Sequence, residues 1–107
     1  KGLGLKFLRH VERTRVLLHL IPVDSLDLAE AYALLRREVA AFSPTLAAKP
    51  HLVAWTKSDL VPSRDEIDLP PVPGAFASVV ISAVAQRGLD ELVETLWKRL
   101  AEERAKE

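Results

Sequence analysis

Four consecutive polar residues, Thr56-Lys57-Ser58-Asp59, carry the most specific chemistry in this 107-residue chain. They follow the apolar run His51-Leu52-Val53-Ala54-Trp55, whose length and composition predict a short buried strand. In open α/β sheets, ligands bind just outside the carboxyl ends of such strands. The spacing [Asn/Thr]-Lys-x-Asp suits guanine. An ionised Asp is acceptor-only and offers two oxygens. Guanine presents two adjacent donors, its ring N1–H and its exocyclic 2-amino group. Adenine has an acceptor at N1 and nothing at C2. A carboxylate in the Asp59 position therefore pairs twice with guanine and is left unpaired against adenine. Sites built on such bonds discriminate by roughly 10⁴–10⁵-fold. The Lys57 stem can lie flat on the purine face, and the Thr56 hydroxyl can tie the loop to neighbouring backbone.

A second pair of residues complements the first. Phe76 to Ile81 reads as another strand, and Ser82-Ala83 ends it at the same carboxyl edge as the tetrad. There the Ala83 backbone N–H can donate to guanine O6, while the Ser82 hydroxyl braces the loop. The three histidines, His10, His19 and His51, lack ligand spacing and predict no metal site. His19 reads as a satisfied sheet residue and His51 as a strand entrance.

The elements that must position these residues follow in order. Phe7, Leu8 and Val11 share one face of an amphipathic segment from Lys1 to Glu12. Val16 to Ile21 is an apolar run interrupted only by His19, as suits a strand covered on both faces of a parallel sheet. Pro22 cannot donate to a ladder, so pairing is expected to weaken there. Asp27 and Glu30 stand at capping-box spacing before a helix that runs to Phe42. Its stripe of Leu28, Tyr32, Leu35, Val39 and Phe42 reads as core. Ser43-Pro44 stops that helix, and Pro44 to Pro50 reads as a linker. Leu60 to Ala75 holds Pro62, Pro70, Pro71 and Pro73 and is expected to be a solvated loop, with at most a helical turn at Ser63 to Glu66. Gly88 precedes a final helix with Leu89, Leu92, Val93, Leu96, Trp97 and Leu100 on its stripe, and Ala101 to Glu107 is expected to fray. Strands separated by crossovers imply a parallel sheet.

Composition narrows the function classes. Hydrophobic residues make up 49% and charged residues 28%, as in one small globular domain. Fifteen basic and fifteen acidic side chains give no net charge, so no basic surplus drives nucleic-acid binding. Cysteine is absent, which excludes disulfides and thiolate metal sites and fits a cytoplasmic setting. No apolar run approaches the ~18 residues of a membrane span. Methionine is absent even at position 1, and the chain reads as part of a longer one.

The tetrad, with a later strand ending in Ser82-Ala83, resembles the base-recognition half of a translation-factor-type GTPase. The opening is more specific. Gly2, Leu3, Gly4, Phe7, Leu8, Arg9, His10, Glu12 and Arg13 match the GxGLGxxFLRHxERxxxL run of the Obg family of bacterial GTPases. The segment Ser43-Pro44-Thr45-Leu46-Ala47-Ala48-Lys49-Pro50 also looks like an Obg feature. The resemblance spans essentially all of residues 1–107. It implies an α/β fold: a three-layer P-loop-GTPase-like parallel sheet, incomplete, of three strands with flanking helices. Residues 1–107 would be the carboxyl-terminal half of the G domain, with the phosphate-loop half outside them. No GxxxxGK[ST] phosphate loop occurs in the sequence.

By resemblance the parent binds GTP and GDP, with Mg²⁺ held by residues not present here, and hydrolyses GTP in large ribosomal subunit assembly. The implied partners are a guanine nucleotide and the large ribosomal subunit, with no membrane and no direct nucleic-acid motif in this part. The guanine-binding set is Thr56, Lys57, Asp59, Ser82 and Ala83, and no catalytic or metal-binding residue is assigned. Thr56 stands where Asn is commoner, and the Pro-rich Val61 to Ala75 loop replaces what is often a helix. A non-enzymatic GTPase-like interaction module, a GTPase of the related Drg family, and a plain α/β domain with an accidental tetrad are the rival readings.

Overall fold

In the computed structural model, the described residues are 9–11, 13–60 and 68–107. Within them lie three parallel strands, β1 (Leu17–Pro22), β2 (His51–Thr56) and β3 (Ala77–Val80), in the order β1-β2-β3. Helix α1 (Leu28–Phe42) and the short α2 (Pro44–Ala47) connect β1 to β2, and α3 (Leu89–Ala105) follows β3. The register runs from Leu17 opposite His51 to Pro22 opposite Thr56, and from Leu52 opposite Ala77 to Trp55 opposite Val80. This is the expected three-layer α/β arrangement.

Strand β2 lies between the other two, and its first five residues are all buried. Alternate side chains of a strand point to opposite faces, and β2 supplies both cores. Val53 and Trp55 join Ile21, Val80 and Tyr32 of α1 on one face. Leu52 and Ala54 join Val79, Ile81 and Leu92 of α3 on the other. Main-chain bonds carry the pairing past the ends of β3, from Phe76 N–H to the His51 carbonyl (2.9 Å) and from Ile81 N–H to the Trp55 carbonyl (2.8 Å). Pro22 closes β1, yet Val23 N–H still reaches the Thr56 carbonyl at 3.0 Å.

Helix α1 starts as its spacing predicts. Asp27 Oδ1 accepts from Glu30 N–H at 3.1 Å, satisfying one of the unpaired amides of the first turn. Only half of the capping box forms, because the Glu30 carboxylate pairs with Arg37 at 2.8 Å. Ser43 ends α1 and begins α2, its hydroxyl accepting from Leu46 N–H at 3.0 Å. The stretch expected as a plain linker is therefore a four-residue helix with Pro44 at its start, where a missing N–H costs nothing.

Two stripes are narrower than expected. On α1, Tyr32 is buried and Leu28 and Leu35 pack on the core, but Phe42 stands 69% exposed in the last turn. On α3, Leu89, Leu92 and Leu96 pack on the sheet, while Val93 and Trp97 face solvent. A three-stranded sheet offers α3 one narrow line of contact. The expected fraying tail is helical to Ala105 instead. Glu103 holds it, accepting from Arg99 (2.7 Å) and Lys106 (3.2 Å). Arg15, just before β1, grips the Glu107 carboxylate with two nitrogens. Of the opening segment, Arg9 to Val11 and Arg13 are helical and Val11 is buried. The expected positions of Phe7 and Leu8, and the turn at Ser63 to Glu66, lie outside the described residues. No described helix is long and apolar enough to cross a membrane.

Candidate functional site

The sequence singles out Thr56, Lys57, Asp59, Ser82 and Ala83. The structure gathers all five at the carboxyl ends of the adjacent strands β2 and β3. Thr56 is the last residue of β2, and Asp59 sits in a single 3₁₀ turn, Ser58–Leu60, closed by Leu60 N–H to the Lys57 carbonyl at 3.0 Å. Lys57 makes the sharp exit from the strand with φ at +60°. That left-handed conformation is unusual for a residue with a Cβ. The Lys57 side chain and Asp59 are exposed. The tie expected from the Thr56 hydroxyl runs through its carbonyl, which accepts from Val23 N–H.

Ser82 links the two loops. It is fully buried, and its hydroxyl donates to Asp59 Oδ1 at 2.7 Å while accepting from Ala85 N–H at 3.0 Å. Its main chain forms a two-bond bridge with Arg87, N–H to carbonyl in both directions at 2.9 Å. Every polar group of this buried serine thus has a partner, as burial demands. The bond to Asp59 uses one carboxylate oxygen. Oδ2 bonds to none of the described residues.

Residues 83–86 form the exposed turn inside that bridge. Gln86 holds φ at +56°, and its side-chain amide donates to the Ala83 carbonyl at 2.8 Å. Gly88 follows with φ at +76°, and a Cβ there would collide with the Val80 carbonyl. Only glycine fits this backbone approach. Among the described residues no acceptor takes the Ala83 N–H. The site therefore presents a carboxylate and a main-chain donor on neighbouring loops. Gln86 and Arg87 were not singled out by the sequence. The only hint of a turn there was Gly88, standing between strand and helix.

A second polar cluster lies away from these loops, at the amino end of β2. Tyr32, His19 and His51 are all buried. The Tyr32 hydroxyl donates to the Pro73 carbonyl at 2.7 Å. It must then accept from His51 Nε2 at 2.6 Å, so His51 carries its proton on Nε2. Arg36 donates to His19 Nε2 at 3.1 Å and to the Ala47 carbonyl at 2.8 Å. Burial, then the Arg36 charge, then the neighbouring His19 push the His51 pKa down to about 4. Burial and Arg36 lower His19 in the same way. Both rings are satisfied: His19 is the sheet residue expected, and His51 stands at the entrance of β2 as expected. Among the described residues, no three His, Asp or Glu side chains converge where a metal ion could sit.

No family model matches the chain. Individual proteins do. The GTPase Obg of Porphyromonas gingivalis is 47% identical over 104 residues, which is 96% of this chain and 26% of that protein. The GTPase Obg of Bacteroides fragilis is 42% identical over 105 residues, 96% of this chain and 27% of its own length. The GTPase Obg of Chlorobaculum parvum is 40% identical over 101 residues, 94% and 30% respectively. The chain thus spans between a quarter and a third of the length of these relatives. The identity runs almost end to end along the chain, at 40–47% over 94–96% of its residues: the chain belongs to the Obg family.

Proposed function

We propose that residues 1–107 are the carboxyl-terminal, base-reading half of the G domain of an Obg-type GTP-binding protein. Asp59 accepts from guanine N1–H and the 2-amino group, the Ala83 N–H donates to O6, and the Lys57 stem covers the purine face. Thr56 and Ser82 hold the loops. The observation that carries this reading is the 2.7 Å bond from Ser82 to Asp59. It fixes a carboxylate from one strand end beside the amide that follows the next. A carboxylate and an N–H on neighbouring loops supply the acceptors and the donor that the donor–donor–acceptor edge of guanine needs, and adenine needs a different set.

The phosphate loop, the Mg²⁺ ligands and the hydrolytic groups belong to the rest of the full-length protein. When bound, Mg²⁺ neutralises the charge on the β- and γ-phosphates. The proposal extends to GTP hydrolysis by the parent in assembly of the large ribosomal subunit. The support is kinship with proteins named GTPase Obg. A cytoplasmic setting fits the cysteine-free sequence.

The test is equilibrium binding of GDP, IDP and ADP to the full-length protein. IDP lacks the 2-amino group and so loses one charge-assisted bond, weakening binding by about ten- to a hundredfold. ADP mismatches both loops and should bind weaker still, by roughly 10⁴-fold. Equal affinity for GDP and ADP would contradict the proposal.

A further inference from the structure

The Ala83 amide can read a base oxygen only if its peptide plane is held. Two bonds do this from opposite sides. The preceding peptide is held at the Ser82 carbonyl, which accepts from Arg87 N–H at 2.9 Å. A trans peptide is planar, with its C=O and N–H pointing in opposite directions. Anchoring the Ser82 carbonyl toward Arg87 therefore aims the Ala83 N–H away from the bridge. The following peptide is held at the Ala83 carbonyl, which accepts from Gln86 Nε2 at 2.8 Å. Without that second bond, the turn beyond Ala83 is held only by the Ala85 N–H to Ser82 Oγ bond at 3.0 Å, two residues on, and the Ala83 carbonyl is left to solvent.

Gln86 makes this bond from an unfavourable backbone. Its φ of +56° lies where glycine sits freely and a side chain is costly. Strain kept beside a candidate site is a pointer to function. The conformation folds the Gln86 side chain back across the turn to the residue whose amide faces out.

We infer that Gln86 is a positioning residue for 6-oxo purines: by clamping the Ala83 carbonyl, it holds the Ala83 N–H in line for the base oxygen. The inference rests on the base-reading proposal above and adds the residue that sets its oxygen contact. Gln86 itself does not touch the base. Loss of the clamp weakens ligands that carry the 6-oxygen and leaves ligands without it unaffected. A general loosening of the loop would weaken both kinds alike.

The experiment uses full-length protein, GDP and the diphosphate of 2-aminopurine riboside, which keeps the 2-amino group and has no 6-oxygen. The variants are Gln86→Gly, which removes the amide and suits the positive φ, and Gln86→Glu, which keeps the shape and cannot donate when ionised. Each variant is expected to bind GDP about three- to tenfold more weakly, the factor of one ordinary hydrogen bond. Each should bind the 2-aminopurine analogue within about twofold of wild type, as expected where no bond is lost. Unchanged GDP affinity, or an equal loss for both ligands, overturns the role of Gln86. If wild type itself does not prefer GDP to the analogue, the base-reading proposal fails, and this inference falls with it.

Discussion

Lys57 combines an exposed side chain with a left-handed backbone, φ +60°. The two features separate its structural cost from its proposed role. Lys57→Gly removes the side chain and relieves a conformation that costs an L-residue roughly 1–2 kcal/mol. Melting temperature should hold or rise, while guanine-nucleotide affinity in the full-length protein falls by about 1–3 kcal/mol through lost cover of the base. A sharp drop in melting with affinity intact would make Lys57 a structural residue. Ser82 is the opposite case. It is fully buried, with Asp59 and Ala85 both depending on its hydroxyl. Ser82→Ala removes the bonds to the Ala85 amide and the Asp59 carboxylate, both of which water can then reach, and should cost about 0.5–1.5 kcal/mol in denaturant unfolding. Affinity should fall with it, since the carboxylate loses its brace. The sequence exposed the identity of these residues because their types and spacing are chemical. It did not expose Gln86, whose role depends on a backbone angle that no residue type announces.

The elements hold together through the buried network at the amino end of the sheet as well as through apolar packing. Tyr32 of α1, His51 of β2 and Pro73 of the connecting segment share one hydroxyl, and Arg36 joins α1 to His19 of β1 and to the end of α2. His51, with a pKa near 4 in the fold and about 6.5 when unfolded, is neutral inside the protein at neutral pH. The unfolded chain binds the proton first as pH falls, so the stability contributed above pH 6.5 is lost progressively between 6.5 and about 4. His19 is shifted in the same direction, and its protonation would set a second cation against Arg36. The loss should reach up to about 1.4 kcal/mol per pH unit for a single histidine. Chemical denaturation across that range checks it. A His51→Gln variant, whose amide can still donate to Tyr32, should flatten the slope. An unchanged slope would remove His51 as its source.

This network shows why some of the fold was legible and some was not. Periodicity marked Tyr32 as core, and it is core, but no pattern shows that its hydroxyl meets His51 and Pro73. The strands and long helices were readable because apolar runs and caps are local. Helix α2 was missed because Pro44 and Pro50 made the segment between them look like linker. Val93 and Trp97 fall on the apolar stripe yet face solvent, because a sequence stripe does not say how wide the opposing sheet is.

At the scale of the whole molecule, the sheet is unevenly covered. Leu18 and Leu20 stand opposite Leu52 and Ala54 in register, yet are 37% and 57% exposed. The cover that α3 gives the neighbouring strands does not extend to them. β1 is also an edge of the described sheet, and exposed apolar edges invite pairing with other chains. Residues 1–107 purified alone should therefore associate in solution and turn over no GTP, since their sequence contains no phosphate loop. Light scattering and a turnover assay check this, and a stable monomer with GTPase activity would overturn it. In the proposed function, the loops at the ends of β2 and β3 read the base for the whole protein, with Asp59 setting its identity. The most direct measurement is competition between GTP and XTP in full-length wild type and Asp59→Asn. Xanthine carries a carbonyl where guanine has its 2-amino group, and the substitution exchanges one acceptor for a donor. Preference should move from GTP to XTP, and an Asp59→Asn protein that still prefers GTP as wild type does would remove Asp59 from the base pocket.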